Sequence, residues 1–421
     1  MAHENARSSV SRRGFLVGST ALAGSAFAAP AFAKDKDDKK DKGEQIITGD
    51  SPDSDMPLKK AEIEFEGDHQ AGISTPPQAF ANLIGFNLYR DVDLDAAKRL
   101  MRLWTEDAHK LSQGETPVGD LESELAWTPA NLTITCGVGE PFFDKLGLTD
   151  RKPGWLHPID KFDKDKLEDQ WGQTDICLQI CTDDPITLAH ATRHFIRSSV
   201  RYAEAKWLQH GFLHAAGSVE KGATGRNLFG FKDGTVNPSS DEEYNDQVWI
   251  DEGPEWSRNG TCLVVRRISY DMDEWEKLDR MSREMVFGRT MGEGAPLSGG
   301  DEFTPADYKK TDEIGLPVID PMSHMARAVN PDDLPHQKLR RRAYNYDLPP
   351  VPGDVDHSNS GLIFICFQKN PEEQFTAIQK RLNEADRLNQ WITHIGSSVY
   401  FCPPGVGEGR DKYWAQGLLE S

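Results

Sequence analysis

The sequence predicts an α+β protein built from two ferredoxin-like domains with antiparallel sheets, and three observations predict it. Apolar strand-like runs alternate with helical patterns as β-α-β units, and the two halves of the chain repeat that order. Each half also carries a capping residue followed by proline, Asp184-Pro185 and Asn370-Pro371, between a buried strand and an amphipathic helix. Such a pairing suggests an internal duplication.

In the first half, Ala81 to Tyr89 reads as a strand. A helix follows from about Leu94, with Leu94, Ala97, Met101 and Trp104 at helical spacing. Next come strands over Leu132 to Gly137 and Asp175 to Thr182. A helix from Pro185 is expected to run to about Ala205, and a further strand to cover Gly211 to Ala215. The second half repeats this with a strand over Thr261 to Ile268 and a helix over Met272 to Phe287. The buried strand Gly361 to Gln368 precedes a helix containing Phe375, Ile378 and Leu382, and Ser398 to Cys402 closes as a strand. The expected domains are 59–220 and 221–421. Gly288 to Pro350 reads as irregular and is too long for a mere connector, which marks it as functional or disordered, and it carries His324 and Arg342.

Two segments precede the domains. Ser11-Arg-Arg-Gly-Phe-Leu16 is a twin-arginine signature, followed by an apolar run and the small-x-small site Ala31-Phe-Ala33. The run is too short and too rich in Gly, Ala and Ser to span a bilayer. Residues 1–33 therefore read as an export signal, and the protein as periplasmic or extracellular. That route carries folded proteins, often with a cofactor inserted. Residues 34–58 are charged and polar and read as a disordered linker.

The 421 residues carry a net charge of -20, with 28% charged and 37% hydrophobic residues. The mean hydropathy is -0.60. This excludes stable membrane insertion and argues against a nucleic-acid partner, since no excess cation is present to neutralise phosphates. Six cysteines are few for an exported chain of this length. Cys177 and Cys181 share a strand face about 13 Å apart, too far for a bridge. Buried small hydrophobes are the reading for most of the six.

Three motifs carry chemistry. In Asn227-Leu-Phe-Gly-Phe-Lys-Asp-Gly-Thr-Val-Asn-Pro238, glycines permit tight turns around a single acid, Asp233. Flanking Phe229 and Phe231 would raise the pKa of a carboxyl among them, as suits an acid–base group; a plain turn acid is the alternative. Ser323-His-Met-Ala-Arg-Ala-Val-Asn-Pro331 places His324 in the long loop. The pairs His190/His194 and His210/His214 have metal-site spacing but read as ordinary core or surface histidines. In Arg340-Arg-Arg-Ala-Tyr-Asn-Tyr346, Arg340 and Arg341 read as solvated, whereas Arg342 lies beside aromatics that can hold a guanidinium rigidly. Taken singly, each feature is commoner as plain structure.

Taken together, Gly230 to Pro238, His324-x-x-Arg327-x-x-Asn330-Pro331 and Arg342, eighteen residues after His324, resemble the dye-decolorizing peroxidase family, from about Pro76 to Pro404. The export signal and the Gly-Phe-Lys-Asp-Gly-Thr form are similar to its exported branch, which includes a bacterial deferrochelatase/peroxidase of iron uptake. The resemblance implies a dimeric α+β barrel with one haem b per chain in the C-terminal half. It implies His324 as the proximal iron ligand, Asp233 as the distal acid–base residue and Arg342 as the distal arginine. Gly234, Thr235, Val236, Val329, Asn330 and Pro331 would line the haem. Asp386 and Glu408 are both candidates for the carboxylate behind the histidine.

The implied reaction is H2O2 reduction coupled to one-electron oxidation of phenols or dyes. A surface Tyr or Trp relay to bulky donors and assembly into a homo-oligomer are compatible with it. The alternatives are iron release from haem with the porphyrin intact, involving free haem and iron-uptake components, and a non-catalytic haem or iron carrier. Asp233 with Arg342 favours catalysis, because a carrier needs neither a distal acid nor a fixed cation. Gly292-Glu-Gly294 lacks the third glycine of a dinucleotide site.

Overall fold

Strands from both halves of the chain pair edge to edge in one antiparallel sheet. The computed structural model describes residues 58–220, 222–353 and 356–421. The export signal and all but the last residue of the linker lie outside these residues. No helix among the described residues is long and apolar enough to cross a membrane.

The first half contributes β1 (Phe80–Leu88), α1 (Leu94–Ser112), β2 (Thr133–Gly139), β3 (Ile176–Thr182), α2 (Pro185–Ser199) and β4 (Ala203–Phe212). The second contributes β5 (Thr261–Tyr270), α3 (Arg280–Phe287), α4 (His324–Ala328), β6 (Arg340–Arg341), β7 (Tyr344–Leu348), β8 (Asn359–Gln368), α5 (Phe375–Ala385) and β9 (Ile392–Cys402). Both helix starts read from the sequence in the first half are capped. Asp93 accepts from Ala96 N at 2.8 Å, and Asp184 accepts from Thr187 N at 2.8 Å with Pro185 following it.

The first half runs β4-β1-β3-β2, and the second runs β7-β8-β5-β9, with β6 and β7 sharing one edge of β8. Each half therefore places its first and third strands at the centre and its second and fourth at the edges, the ferredoxin-like arrangement. The halves join through short contacts, Val138↔Phe401 and Gly139↔Tyr400 on one side and Phe212↔Asn345 on the other. The pairings close on themselves, so the duplicated fold forms a barrel.

Side-chain alternation then sorts the core into layers. One cluster draws Leu83, Cys177, Trp207, Val265, Tyr344, Ile365 and Tyr400 from seven of the strands, and fills the ring. A second packs Trp104, Phe142 and Phe195 with the helices of the first half. The third, Phe229, Phe231, Tyr270, Trp275, Phe287 and Leu388, lies in the second half and underlies the site.

Three expectations need correction. The helix expected to reach Ala205 ends at Ser199, and β4 begins at Ala203 rather than Gly211. Glu204, Ala205 and Lys206 favour helix, but the ladder to β1 over Ala203 to Phe212 overrides that preference. The helix expected over Met272 to Phe287 is split into Met272–Trp275 and α3, which Asp279 caps anew by accepting from Ser282 N at 2.8 Å. Within the region read as irregular, β7 pairs with β8 over Tyr344 to Leu348.

All six cysteines are free and buried, and burial pushes each thiol up. An aromatic disulfide reagent is therefore expected to label none in the native protein and all six in denaturant. Rapid labelling before unfolding would contradict the burial.

Candidate functional site

The first wall of the site forms where α3, α4 and α5 end against one another. Gly288 closes α3 with φ +84, a conformation that favours glycine. A Cβ there would also approach Met325 Cγ to 2.7 Å, so α3 and α4 pack without room for a side chain. His324 opens α4, and its Nδ1 lies 2.7 Å from Asp386 Oδ2. The Asp386 side chain is only 1% exposed, and its Oδ1 accepts from Leu388 N at 2.9 Å. With the carboxylate accepting, the imidazole donates through Nδ1 and presents Nε2 as a lone pair.

Of the two carboxylates left open by the sequence, Asp386 makes this contact and Glu408 is exposed elsewhere. Arg327 completes the wall, donating from Nε to Arg381 O at 3.0 Å and from Nη2 to Glu384 Oε2 at 2.8 Å. Arg327, three residues after the histidine, thus ties α4 to α5.

The second wall is the turn over 225–238. Asn227 N donates to Phe231 O at 3.0 Å, and Asp233 N to Gly225 O at 2.8 Å. Gly234 has φ +122, which gives the chain its reversal directly after Asp233. Phe229 and Phe231 do not enclose the carboxylate as expected. They turn into the core, where Phe229 stacks on Tyr270 at 4.0 Å and Phe231 on Phe287 at 3.9 Å. Phe287 in turn meets the His324 ring at 5.6 Å, so one phenyl ring braces both walls.

The arginine that meets Asp233 is Arg341, with Nη2 at 3.1 Å from Oδ1. The sequence puts Arg342 there and both Arg340 and Arg341 in solvent, whereas Arg340 is fully buried and Arg341 half-buried. The reason is the two-residue period of an extended chain. Arg340 and Arg342 point together to the opposite face, are buried, and both donate to Thr75 O; Arg342 also donates to Gln78 Oε1. Arg341 alone faces the turn. Asn237 fixes it there by a reciprocal pair, Oδ1 accepting from Arg341 N at 2.8 Å and Nδ2 donating to Arg341 O at 2.9 Å.

Two further residues of this wall escaped the sequence reading. Arg226 donates to Gly230 O at 2.8 Å and Met291 O at 2.6 Å, pinning the turn to the following loop. Glu302 accepts from Thr224 Oγ1, Lys232 Nζ and Thr235 Oγ1. Burial alone would raise its carboxyl, but these hydrogen bonds and the Lys232 charge hold it below its ordinary value.

The remaining expected residues border these walls. Thr235 is half-buried, and the apolar side chains of Val236 and Val329 are 70% and 42% exposed. Asn330 and Pro331 are half-buried just beyond α4, with Asn330 Nδ2 donating to Pro331 O at 3.3 Å. His190 and His194 are each engaged by a buried carboxylate, Asp120 and Asp107, both at 2.8 Å. Asp120, Glu122 and His190 lie close enough to hold a metal ion. Arg197 and Arg193 already neutralise its two acids, at 3.7 and 3.1 Å.

Comparison with known proteins gives a consistent set of relatives. The family models "Dyp-type peroxidase, N-terminal" and "Dyp-type peroxidase, C-terminal" match residues 70–213 and 224–407. The deferrochelatase of Escherichia coli (strain K12) is 34% identical, with 99% of this chain and 98% of that one covered. The dye-decolorizing peroxidase of Thermobifida fusca is 32% identical over 88% of each. Among solved structures, a DyP-type peroxidase from Cellulomonas bogoriensis superposes with a TM-score of 0.83 at 40% identity, covering 87% of this chain and 100% of that one. Ferric DtpA from Streptomyces lividans gives a TM-score of 0.81 at 36% identity, covering 86% and 98%.

Proposed function

This chain belongs to the Dyp-type peroxidase family and is a haem peroxidase, and on that premise we propose that His324 holds one haem b while Asp233 and Arg341 act on H2O2. The observation that carries this reading is the His324–Asp386 pair. A buried carboxylate fixes the tautomer and leaves Nε2 as the ligand atom, the arrangement a haem iron requires. The exposed apolar faces of Val236 and Val329 suit a porphyrin edge. These residues fit the group.

When bound, the haem would supply the redox chemistry by which two electrons, drawn one at a time from organic donors, reduce H2O2 to water. The protein's own part is proton movement and charge. Asp233 Oδ1 is held by Arg341, so Oδ2 is the atom to take a proton from one peroxide oxygen and return it to the other. The Arg341 guanidinium would stabilise the negative charge on the departing oxygen. Asn237, by gripping the Arg341 backbone at both N–H and C=O, sets that cation before substrate arrives.

The test is direct. Purified protein given haem is expected to show a Soret band, to yield haem b at one per chain on extraction, and to oxidise a phenol and a dye only with H2O2. Absence of the band, or oxidation independent of peroxide, would sink the reading. Iron release is the second reading, favoured by full-length similarity to deferrochelatases. It requires metal-free protoporphyrin to appear from added haem. Export by residues 1–33 is part of the same proposal: Arg12→Lys with Arg13→Lys is expected to retain the protein in the cytoplasm.

A further inference from the structure

We propose that Glu302 is a positioning residue for Asp233, clamping the turn that carries it from both sides. The inference rests on the acid–base reading of Asp233. Lys232 and Thr235 are the nearest side-chain anchors before and after the Asp233-Gly234 pair, and both end on the one Glu302 carboxylate. Thr224, the residue just before the same turn, is the third donor, at 2.5 Å. Three points in and just before a glycine-containing turn thus converge on a group whose side chain is 8% exposed.

The clamp is itself anchored. Arg289 Nη1 donates to Glu302 O at 2.9 Å and to Gly294 O at 2.7 Å, so the Glu302 backbone is tied to its own loop. The loop is bound a second time through Arg226, which crosses from the turn to Met291 O and to Gly292 O at 2.6 Å. Gly234, with φ +122, holds a conformation that favours glycine directly after Asp233, so the side-chain bonds of Lys232 and Thr235 flank the reversal itself. Without the carboxylate, Lys232 and two hydroxyls lose their common acceptor, and Asp233 is free to leave Arg341. Glu302 touches neither peroxide nor haem in this scheme; it acts through Asp233.

Four variants test this: Glu302→Ala, Glu302→Gln, the Thr224→Val/Thr235→Val pair, and Asp233→Asn as reference. The readouts are the rate with H2O2 in rapid mixing across pH, fluoride affinity of the resting protein by absorption, haem content and Tm. Misplacing a reacting group by about 1 Å can cost about a hundredfold. Glu302→Ala is therefore expected to lose about tenfold to a hundredfold in rate, with a displaced pH profile and weakened fluoride binding. Glu302→Gln keeps an acceptor for both threonines and should recover part of the rate. The threonine pair, which leaves the carboxylate and Lys232 in place, should show a smaller loss of the same kind.

A Glu302→Ala rate, pH profile and fluoride affinity matching wild type would overturn the proposal. So would a loss that follows Tm or haem content alone. If Asp233→Asn itself reacts at the wild-type rate, the acid–base reading fails. If Asp233→Asn is slow and Glu302→Ala is not, only the clamp fails.

Discussion

His324→Ala is expected to fold and to carry no haem after reconstitution, with no Soret band and no peroxide-dependent oxidation. His324 is partly exposed at the first position of the five-residue α4 and contributes a ring contact with Phe287, so its loss spares the core. The change does leave Asp386 buried with one acceptor unfilled, a cost of about 1–3 kcal/mol. Asp386 Oδ1 keeps its bond from Leu388 N, which anchors the acid without the histidine. Changing a group behind a metal ligand lowers affinity or activity by about 10–100-fold, so Asp386→Asn should fall in that range. Loss of the ligand itself should exceed it. A His324→Ala protein with a wild-type Soret band would remove the basis of the proposed site.

The contrast between those two residues shows what a sequence can disclose. Asp93 and Asp184 cap their helices where the sequence places them and the buried strands are local patterns, but Asn370-Pro371 does not open α5, which begins at Phe375 without a side-chain cap. Asp386 was one of two carboxylates the sequence left open, because its pairing with His324 spans 62 residues and depends on how α5 ends against α4. Glu302 gave no signal at all, since its three donors gather only when a loop folds back over the turn. β4 was misplaced because helix-favouring residues there obey a partner strand rather than their own propensity. The arginine run is a different matter, for its alternation was legible. Tyr344 and Tyr346 are buried aromatics on even positions, and Arg340 and Arg342 share their parity. Arg342, eighteen residues after His324, therefore lies on the face away from Asp233, and Arg341 on the face toward it.

That parity sets up the second large effect. Arg341→Leu is expected to lower the rate of reaction with H2O2 by about 10²–10³-fold, the usual loss when a preorganised charge-stabilising donor is removed. Asp233→Asn should be impaired comparably or more. Because the two groups form one ion pair, the double variant should be little worse than the poorer single one, as for residues acting as a unit. Arg342→Leu should behave in the opposite way. It leaves Gln78 Oε1 without its donor, at about 1–3 kcal/mol for a buried acceptor left unsatisfied, and leaves Thr75 O with the long bond from Arg340 alone. It also removes a cation beside Asp183, whose carboxyl burial already pushes up and which Arg342 helps to keep charged. The expected result is a lower Tm with the peroxide rate per bound haem preserved. Rapid mixing and thermal melting on the two single variants decide the matter. A rate loss in Arg342→Leu with Arg341→Leu intact would return the distal role to Arg342, and would mean that the face presented to peroxide is the one holding Thr75 and Gln78.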